Sequence, residues 1–523
     1  MANETTHGNN MGMLKNIFSV SLLTLLSRIS GLLRDIFIFA TFGTSELNSA
    51  FLFAFNIPNL FRRLLGEGAL TSALIPVFAD EYHHKGKKAA FELLDRVTSR
   101  LMLVLWIIVG VGITFCVLGI KSQLLSPRWV RCFALSAVLL PYMFFICLGA
   151  LFAAVLNVFE KFSLHASNGI WLNLSMIIFL ALGYFFPERW RIDCLCTGVL
   201  IGGVIQMVSL WRGLIPMGWK FHFNLTSDTR IGEVQRLFFP GVAGAAALQI
   251  NAAFSRALAY FVDSSAVAVL YLANRLVELP LGLFVTAITV VLFPRLSRLD
   301  AQEEKSLLRE EFAQGIALIF TTIFPAMVGM LCLDRTIVGL LFHWGNFTER
   351  DLSLVLPVLR ICLLALPCYA LSAYLVRGYH CKKNTIKPMF IATIHIAVNV
   401  ILTLGLMFYF KSLGIALANL LAIAFQTFLL YRNLGQTYQE FRVKIWTTYL
   451  RNILLASCSM GIVVFALDRG LGLYLSGKMH DIWSVLLNIP LGIGLYFGLL
   501  HILKTKEMRK KWEDFTKKIN LGK

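Results

Sequence analysis

The chain has 523 residues, 57% of them hydrophobic and 15% charged, with a formal net charge of +19. Its mean hydropathy of +0.72 and its shortage of charge, against roughly 25% charged residues in soluble domains, exclude a soluble globular protein and a separate catalytic domain. In a soluble chain the basic balance would point to nucleic acid; in a membrane chain the preference of Lys and Arg for cytoplasmic loops accounts for it, and no nucleic-acid partner is expected.

The start is polar and has no small-residue cleavage site, so the first apolar run, from about Leu14, reads as an uncleaved span. A spanning helix needs ~20 apolar residues. Fourteen stretches qualify: 13–42, 46–79, 97–120, 132–156, 165–186, 193–211, 237–261, 266–293, 312–333, 352–376, 389–410, 413–431, 452–468 and 482–503. The expected fold is an all-α polytopic membrane protein with 14 transmembrane helices. The first two spans are the least regular, because they carry most of the charges and Pro58 interrupts the second. With the N-terminus inside, 30 of the 48 Lys and Arg fall in inner segments and 10 in outer loops, which places both termini in the cytoplasm. The basic tail after Ile502 contributes most to this bias and is suited to anionic lipid headgroups.

The chain looks duplicated. LLPYMFF around Pro141 is followed 32 residues later by Asn173, and LALPCYA around Pro367 is followed 32 residues later by Asn399. Lys161 matches Lys387, Asn56 matches Asn274, and Pro76 matches Pro294. Spans 1–6 therefore repeat as spans 7–12. An even number of spans gives two pseudo-symmetric six-helix lobes of one orientation, the plan of transporters that bind substrate between two bundles. The expected divisions are 1–230 for the first lobe, 231–440 for the second, and 441–523 for two additional helices and the tail.

Eight arginines lie within the apolar stretches: Arg28, Arg34, Arg62, Arg63, Arg100, Arg256, Arg275 and Arg360. A guanidinium in hydrocarbon costs at least ~2.5–3.5 kcal/mol, and Arg does not shed its proton to escape that cost. Such residues persist where they face protein or a watery cavity. Arg28 and Asp35 are two helical turns apart on nearly one face, with Arg34 about 100° round from Asp35. Asp35 can pair with an arginine and hold its fork, or the group is a structural ion pair with snorkelling side chains. In the second span, Asn56, Pro58, Arg62, Arg63, Gly66, Glu67 and Gly68 describe a broken helix. Arg63 and Glu67, four apart, can pair, which leaves Arg62 the less neutralised; a tight helix crossing with a charge lock is the other reading. Asn274-Arg275 with Glu278 and Pro280 forms the third cluster. Arg256 and Arg360 have no acid within a turn, and Arg100 sits at a membrane edge. Only Asp35, Glu67 and Glu278 stand clearly within spans against these arginines. Such a surplus repels cations and favours phosphate, which a planar guanidinium fork meets with two hydrogen bonds.

Other signals carry little. Gly472 to Lys478 imitates a phosphate-binding loop, but Met479 stands where Ser or Thr is needed. Cys194 and Cys196 have neither metal nor redox spacing, and the ten cysteines read as packing residues. His395, alone in its span, reads as a packed, hydrogen-bonded histidine ahead of a proton-coupling one. No nucleophile–base pattern suggests an enzyme, and no cofactor or metal is expected.

The segments SRISGLLRD (27–35), AFLFAFNIPNLFRRLLGEGAL (50–70) and ANRLVELP (273–280) resemble the MurJ (MviN) family of bacterial lipid II flippases, within the multidrug/oligosaccharidyl-lipid/polysaccharide exporter superfamily. The resemblance extends across the chain. It implies two lobes around a cationic cavity, two further helices forming a hydrophobic groove, and an inner-membrane location. The implied substrate is lipid II, the undecaprenyl-diphosphate-linked disaccharide-pentapeptide. It also implies essential arginines at Arg28, Arg34, Arg62 and Arg275, supported by Ser27, Asp35, Asn56, Pro58, Arg63, Glu67, Asn274 and Glu278. Membrane lipids and cell-wall synthesis proteins are further implied partners, with the membrane potential or a coupling ion as the energy source. This chain departs from the family pattern at Ser49 and Asn274, where many members carry Asp, which makes the cavity still more positive. The alternatives are a flippase for another polyprenyl-diphosphate glycan, of O-antigen type, and an ion-coupled exporter of organic cations, which would need buried acids.

Overall fold

The computed structural model describes residues 2–442 and 447–503, with side chains described from residue 19 except at 66, 67, 243–245, 247, 248, 252 and 447. The basic tail and the side chain of Glu67 lie outside the described residues, and with them the expected Arg63–Glu67 pair. Helices account for nearly all of the rest. Nine are long and apolar enough to cross a membrane, or ten if one bent pair is a single span, among the described residues.

The chain divides into two compact units, Met1–Ala268 and Val269–Lys523. In the first, α1 (Ala2–Phe42) ends at a turn closed by Gly43. Ser45 then caps α2 (Glu46–Phe61), its hydroxyl accepting from the Asn48 amide at 3.3 Å. α2 passes through a π-helical turn, Arg62–Ala69, into α3 (Leu70–Lys121), which breaks at Gly86 with φ 84°. The expected inner loop 80–96 is thus largely helical: its charges sit on a helix that extends past the apolar stretch. The expected fourth span is two helices, α4 (Pro127–Leu139) and α5 (Tyr142–Val158), bent by 44°. Pro141, at the joint, has no amide to donate and cannot continue the ladder. α6 (Phe162–Gly183) and α7 (Arg191–Leu214) follow. They approach closely because Gly202 of α7 has no side chain; a Cβ there would lie 3.1 Å from Leu172 Cα. α6 also packs on α1. α8 (Thr229–Val262), with which the sequence repeat starts its second half, packs on α3 and the π turn.

A strap, residues 218–228, closes one end of this unit. Trp219 is buried and donates Nε1–H to Asp95 Oδ1 at 2.8 Å. Arg96 pairs with Asp228, while Arg230 reaches Asp80 at 2.7 Å and Glu81 at 2.9 Å. At the other end, Arg128 donates to the carbonyls of Tyr260 and Phe261.

The second unit holds most of α9 (Ala266–Pro280), a second π turn (Leu281–Val285), α10 (Thr286–Ala301) and α11 (Lys305–Cys332). Next come α12 (Asp334–Phe342), α13 (Glu349–Leu364) and α14 (Leu366–Cys381), the last two joined just before Pro367. α15 (Ile386–Thr437) breaks at Lys411, φ 50° and ψ −128°. α16 (Thr447–Tyr474) packs on α11 and on α17 (Gly477–Ile502). One end is tied by Lys382 to Asp300 and Glu440, with Phe441 buried edge-on against Phe312. The other is tied by Asp468, which accepts from Thr336 at 2.9 Å and from Ser484.

Candidate functional site

The intramembrane arginines fall into two kinds. Some are committed to structure. Arg100, placed at a membrane edge, donates to the carbonyls of Leu225 at 2.8 Å and Thr226 at 2.7 Å, pinning the strap. Arg360, without an acid within a turn on its own helix, finds Asp334 at 2.5 Å; the carboxylate is buried, while half of the arginine is exposed. The loop between the two residues hid that partner from the spacing of α13 alone.

Arg34 is held in a small polar network on α1 and α6. Its Nη2 and Nε donate to Asp35 Oδ1 at 2.6 and 3.0 Å. Its Nη1 donates to Asn173 Oδ1 at 3.0 Å. Asn173 returns its amide hydrogens to the Ser27 carbonyl at 3.2 Å and to Ser30 Oγ at 3.0 Å. Asp35 is 1% exposed and Arg34 12%, so the pair is largely withdrawn from solvent and fixed in direction. Asp35 therefore serves its neighbour Arg34 rather than Arg28 two turns away. Arg28 is exposed, and Ser27 packs directly over Gly169 of α6, where a Cβ would fall 2.3 Å from its hydroxyl oxygen. Sequence reasoning took Asn173 only as a marker of the repeat; the signal available was a polar residue in the middle of an apolar run.

Arg62 and Arg63 open the π turn, which packs on α5 and α8. Arg62 is partly buried with its Nε shielded from solvent, whereas Arg63 is exposed. Pro58, four residues earlier, is buried and leaves its carbonyl to the Arg62 amide. Asn56 is partly buried, and Asn59 bonds back to the Phe55 carbonyl at 2.8 Å. In the second unit Arg275 is 26% exposed and lies 3.7 Å from Glu278, a loose pair whose acid faces solvent. Asn274 is exposed and donates to the Leu270 carbonyl at 2.8 Å, so it serves its own helix. Ser49, at the other departure from the family pattern, is buried and accepts from the Ala268 amide at 3.3 Å, at the first turn of α9.

Outside the spans, the titration of one group reflects its setting. Burial alone would raise the Asp228 carboxyl. The Ile231 amide and the Arg96 guanidinium outweigh burial and hold it below its ordinary value.

Long apolar helices bearing guanidinium groups define a multi-pass helical membrane protein. The family profile described as lipid II flippase MurJ matches residues 38–491, and the chain belongs to that family. A relative from Buchnera aphidicola subsp. Baizongia pistaciae, described as a probable lipid II flippase MurJ, is 28% identical over 496 residues, covering 92% of this chain and 94% of its own. The fold is similar to that of a solved lipid II flippase MurJ in an inward closed conformation, with TM-score 0.78 and 24% identity over 92% of this chain and 98% of that one. It also resembles a multidrug resistance MATE family transporter of the MOP superfamily in an inward-facing conformation, with TM-score 0.63 and 13% identity over 80% of this chain and 95% of that one.

Proposed function

We propose that this chain is a bacterial inner-membrane lipid II flippase. It carries the undecaprenyl-diphosphate-linked disaccharide-pentapeptide from the cytoplasmic to the periplasmic leaflet by alternating access. The observation that carries this reading is the family match across residues 38–491, in a chain that keeps the family's arginines in apolar helices. The diphosphate rests on Arg28, Arg34, Arg62 and Arg275. Arg34 supplies a fixed fork, held by Asp35 and Asn173; Arg28, exposed on α1, and Arg62, at the head of the π turn, supply further positive charge. Ser27, Asn56, Pro58, Arg63, Glu67, Asn274 and Glu278 shape or support these groups.

Fourteen spans fit the helices. Glu46–Lys121 runs 76 residues, on the order of 110 Å, against a hydrocarbon core of ~30 Å; its break at Gly86 divides it between two crossings. Ile386–Thr437 divides likewise at Lys411. The ion pairs support the alternation of loops. Arg96–Asp228 and Lys382–Asp300 join loops assigned to the inner side, and Arg131–Glu46 joins an outer loop to the outer end of the second span. On this reading residues 1–230 and 231–440 are the repeated lobes, residues 441–523 are an addition, and both termini are cytoplasmic.

The test is complementation of a flippase-depleted cell, scored by the appearance of labelled lipid II in the outer leaflet. Growth and translocation are expected. Rescue of an O-antigen flippase mutant without rescue of peptidoglycan synthesis would move the substrate to another polyprenyl-diphosphate glycan. Export of organic cations is disfavoured by the surplus of arginine over intramembrane acid.

A further inference from the structure

The π turn Arg62–Ala69 is not a local irregularity without counterpart. The landmarks Asn56/Asn274 and Pro76/Pro294 share an offset of 218 residues, which maps 62–69 onto 280–287. The second π turn, Leu281–Val285, falls within that window. The same widened turn has been built twice, in the helices that carry Arg62 and Arg275. A π turn holds one residue more than the α-helical turn it replaces. The helix before it is therefore rotated by about 100° relative to the helix after it, compared with an unbroken α-helix of the same sequence.

The first of these turns depends on one residue. Gly68 lies five residues after Arg63, the spacing of a π-helical hydrogen bond. A Cβ on Gly68 would stand 2.7 Å from the Arg63 carbonyl oxygen. That neighbour is backbone and cannot swing aside, so any other residue at 68 works against the wide turn. In a regular α-helix the same position accepts alanine without penalty.

We propose that Gly68 is a positioning residue for Arg62. By permitting the wide turn, it sets the direction in which the Arg62 guanidinium leaves its helix. α2 and α3 are each held against α4, α5 and α8, so collapse of the turn to α geometry has to be absorbed between them, at Arg62, and would move it away from the phosphate it grips. The inference rests on the reading of Arg62 as a diphosphate-binding residue.

The test compares four full-length variants in nanodiscs, with undecaprenyl diphosphate as the probe in equilibrium binding and labelled lipid II in a flipping assay. Arg62→Ala checks the underlying reading: if it binds the probe as well as the native chain, that reading fails, independently of Gly68. Gly68→Ala is expected to weaken binding by roughly tenfold or more, the loss of a hydrogen bond to a charged group. Deleting Gly66 with Gly68 kept removes the extra residue and no side chain, restoring regular helix without rotating Arg62; binding within about twofold of native is expected. The deletion combined with Gly68→Ala is expected to recover the affinity that Gly68→Ala alone loses. Recovery is a readout that a merely structural role for Gly68 would not give. Native affinity in Gly68→Ala, or failure of the combined variant to recover, overturns the proposal. If Gly68→Ala alone does not insert into the membrane, the combined variant decides the question: native-like binding upholds the proposal and lost binding overturns it.

Discussion

At the scale of single residues, the arginines differ in how far the fold commits them to partners. Arg34 sits between Asp35 and Asn173 with little exposure, so removing either partner strands polar groups. Asp35→Asn leaves the guanidinium without its countercharge, and breaking a largely buried pair costs ~3–5 kcal/mol. Asn173→Ala removes one hydrogen bond to a charged donor and two more to α1, at about 1–3 kcal/mol. Both variants are expected to lower the thermal unfolding midpoint of the purified protein, Asp35→Asn more. Arg28→Ala is expected to leave the midpoint unchanged, because Arg28 is exposed, and to abolish flipping; an Arg28→Ala protein that flips normally removes Arg28 from the site. That Asp35 holds an arginine was legible in the sequence; which one was not, since helix spacing set Arg28 on its face and Arg34 about 100° round. Asn173 and Asp334 were not legible as partners, because they stand 139 and 26 residues from the arginines they serve, and helix periodicity reports only neighbours on one face.

At the scale of elements, hydropathy located the helices and missed what joins them. An apolar window does not distinguish one span from two helices bent at Pro141, and charges in 80–96 read as a loop although they lie on helix around Gly86. The π turns were foreshadowed only by the clustering of Pro58, Gly66 and Gly68. The strap 218–228 was invisible to periodicity, since its hold comes from Trp219, Arg96 and Arg100 finding partners across the fold. Its pH dependence follows from Asp228, whose folded value lies below its ordinary one. The stabilisation is present above the unfolded pKa and is lost as pH falls through the folded one. Amide exchange in the strap is therefore expected to accelerate only in acid below the usual carboxylate range, about pH 4. The clamp at the second unit titrates at both ends. Burial works against the charge of Lys382, but its bonds to Asp300 and Glu440 outweigh burial and raise it, and burial works against the charge of Glu440, but Lys382 outweighs it and lowers it. The clamp therefore loosens as pH rises through the raised lysine value and again as pH falls through the lowered carboxyl value, which exchange at residues 437–441 in alkali and in acid would detect.

At the scale of the whole molecule, the net charge of +19 carries two expectations: that loop lysines and arginines orient the chain, and that the arginines within the spans hold the cargo. The bias of the loops was countable in the sequence; which arginines the fold supplies with a carboxylate was not. A substrate site richer in arginine than in acid moves charge when it changes sides, and one charge crossing 100 mV is worth ~2.3 kcal/mol. An inside-negative potential then favours return of the empty site to the cytoplasmic side. Dissipating the potential with an ionophore in proteoliposomes is expected to slow flipping, and an unchanged rate would exclude the potential as the driving force.

The hydroxyl of Ser49, resting on the amide of Ala268, ties α2 to the opening turn of α9 with an acceptor that has no proton to gain. The join is indifferent to acidity, because a hydroxyl does not titrate in the range where carboxylates do.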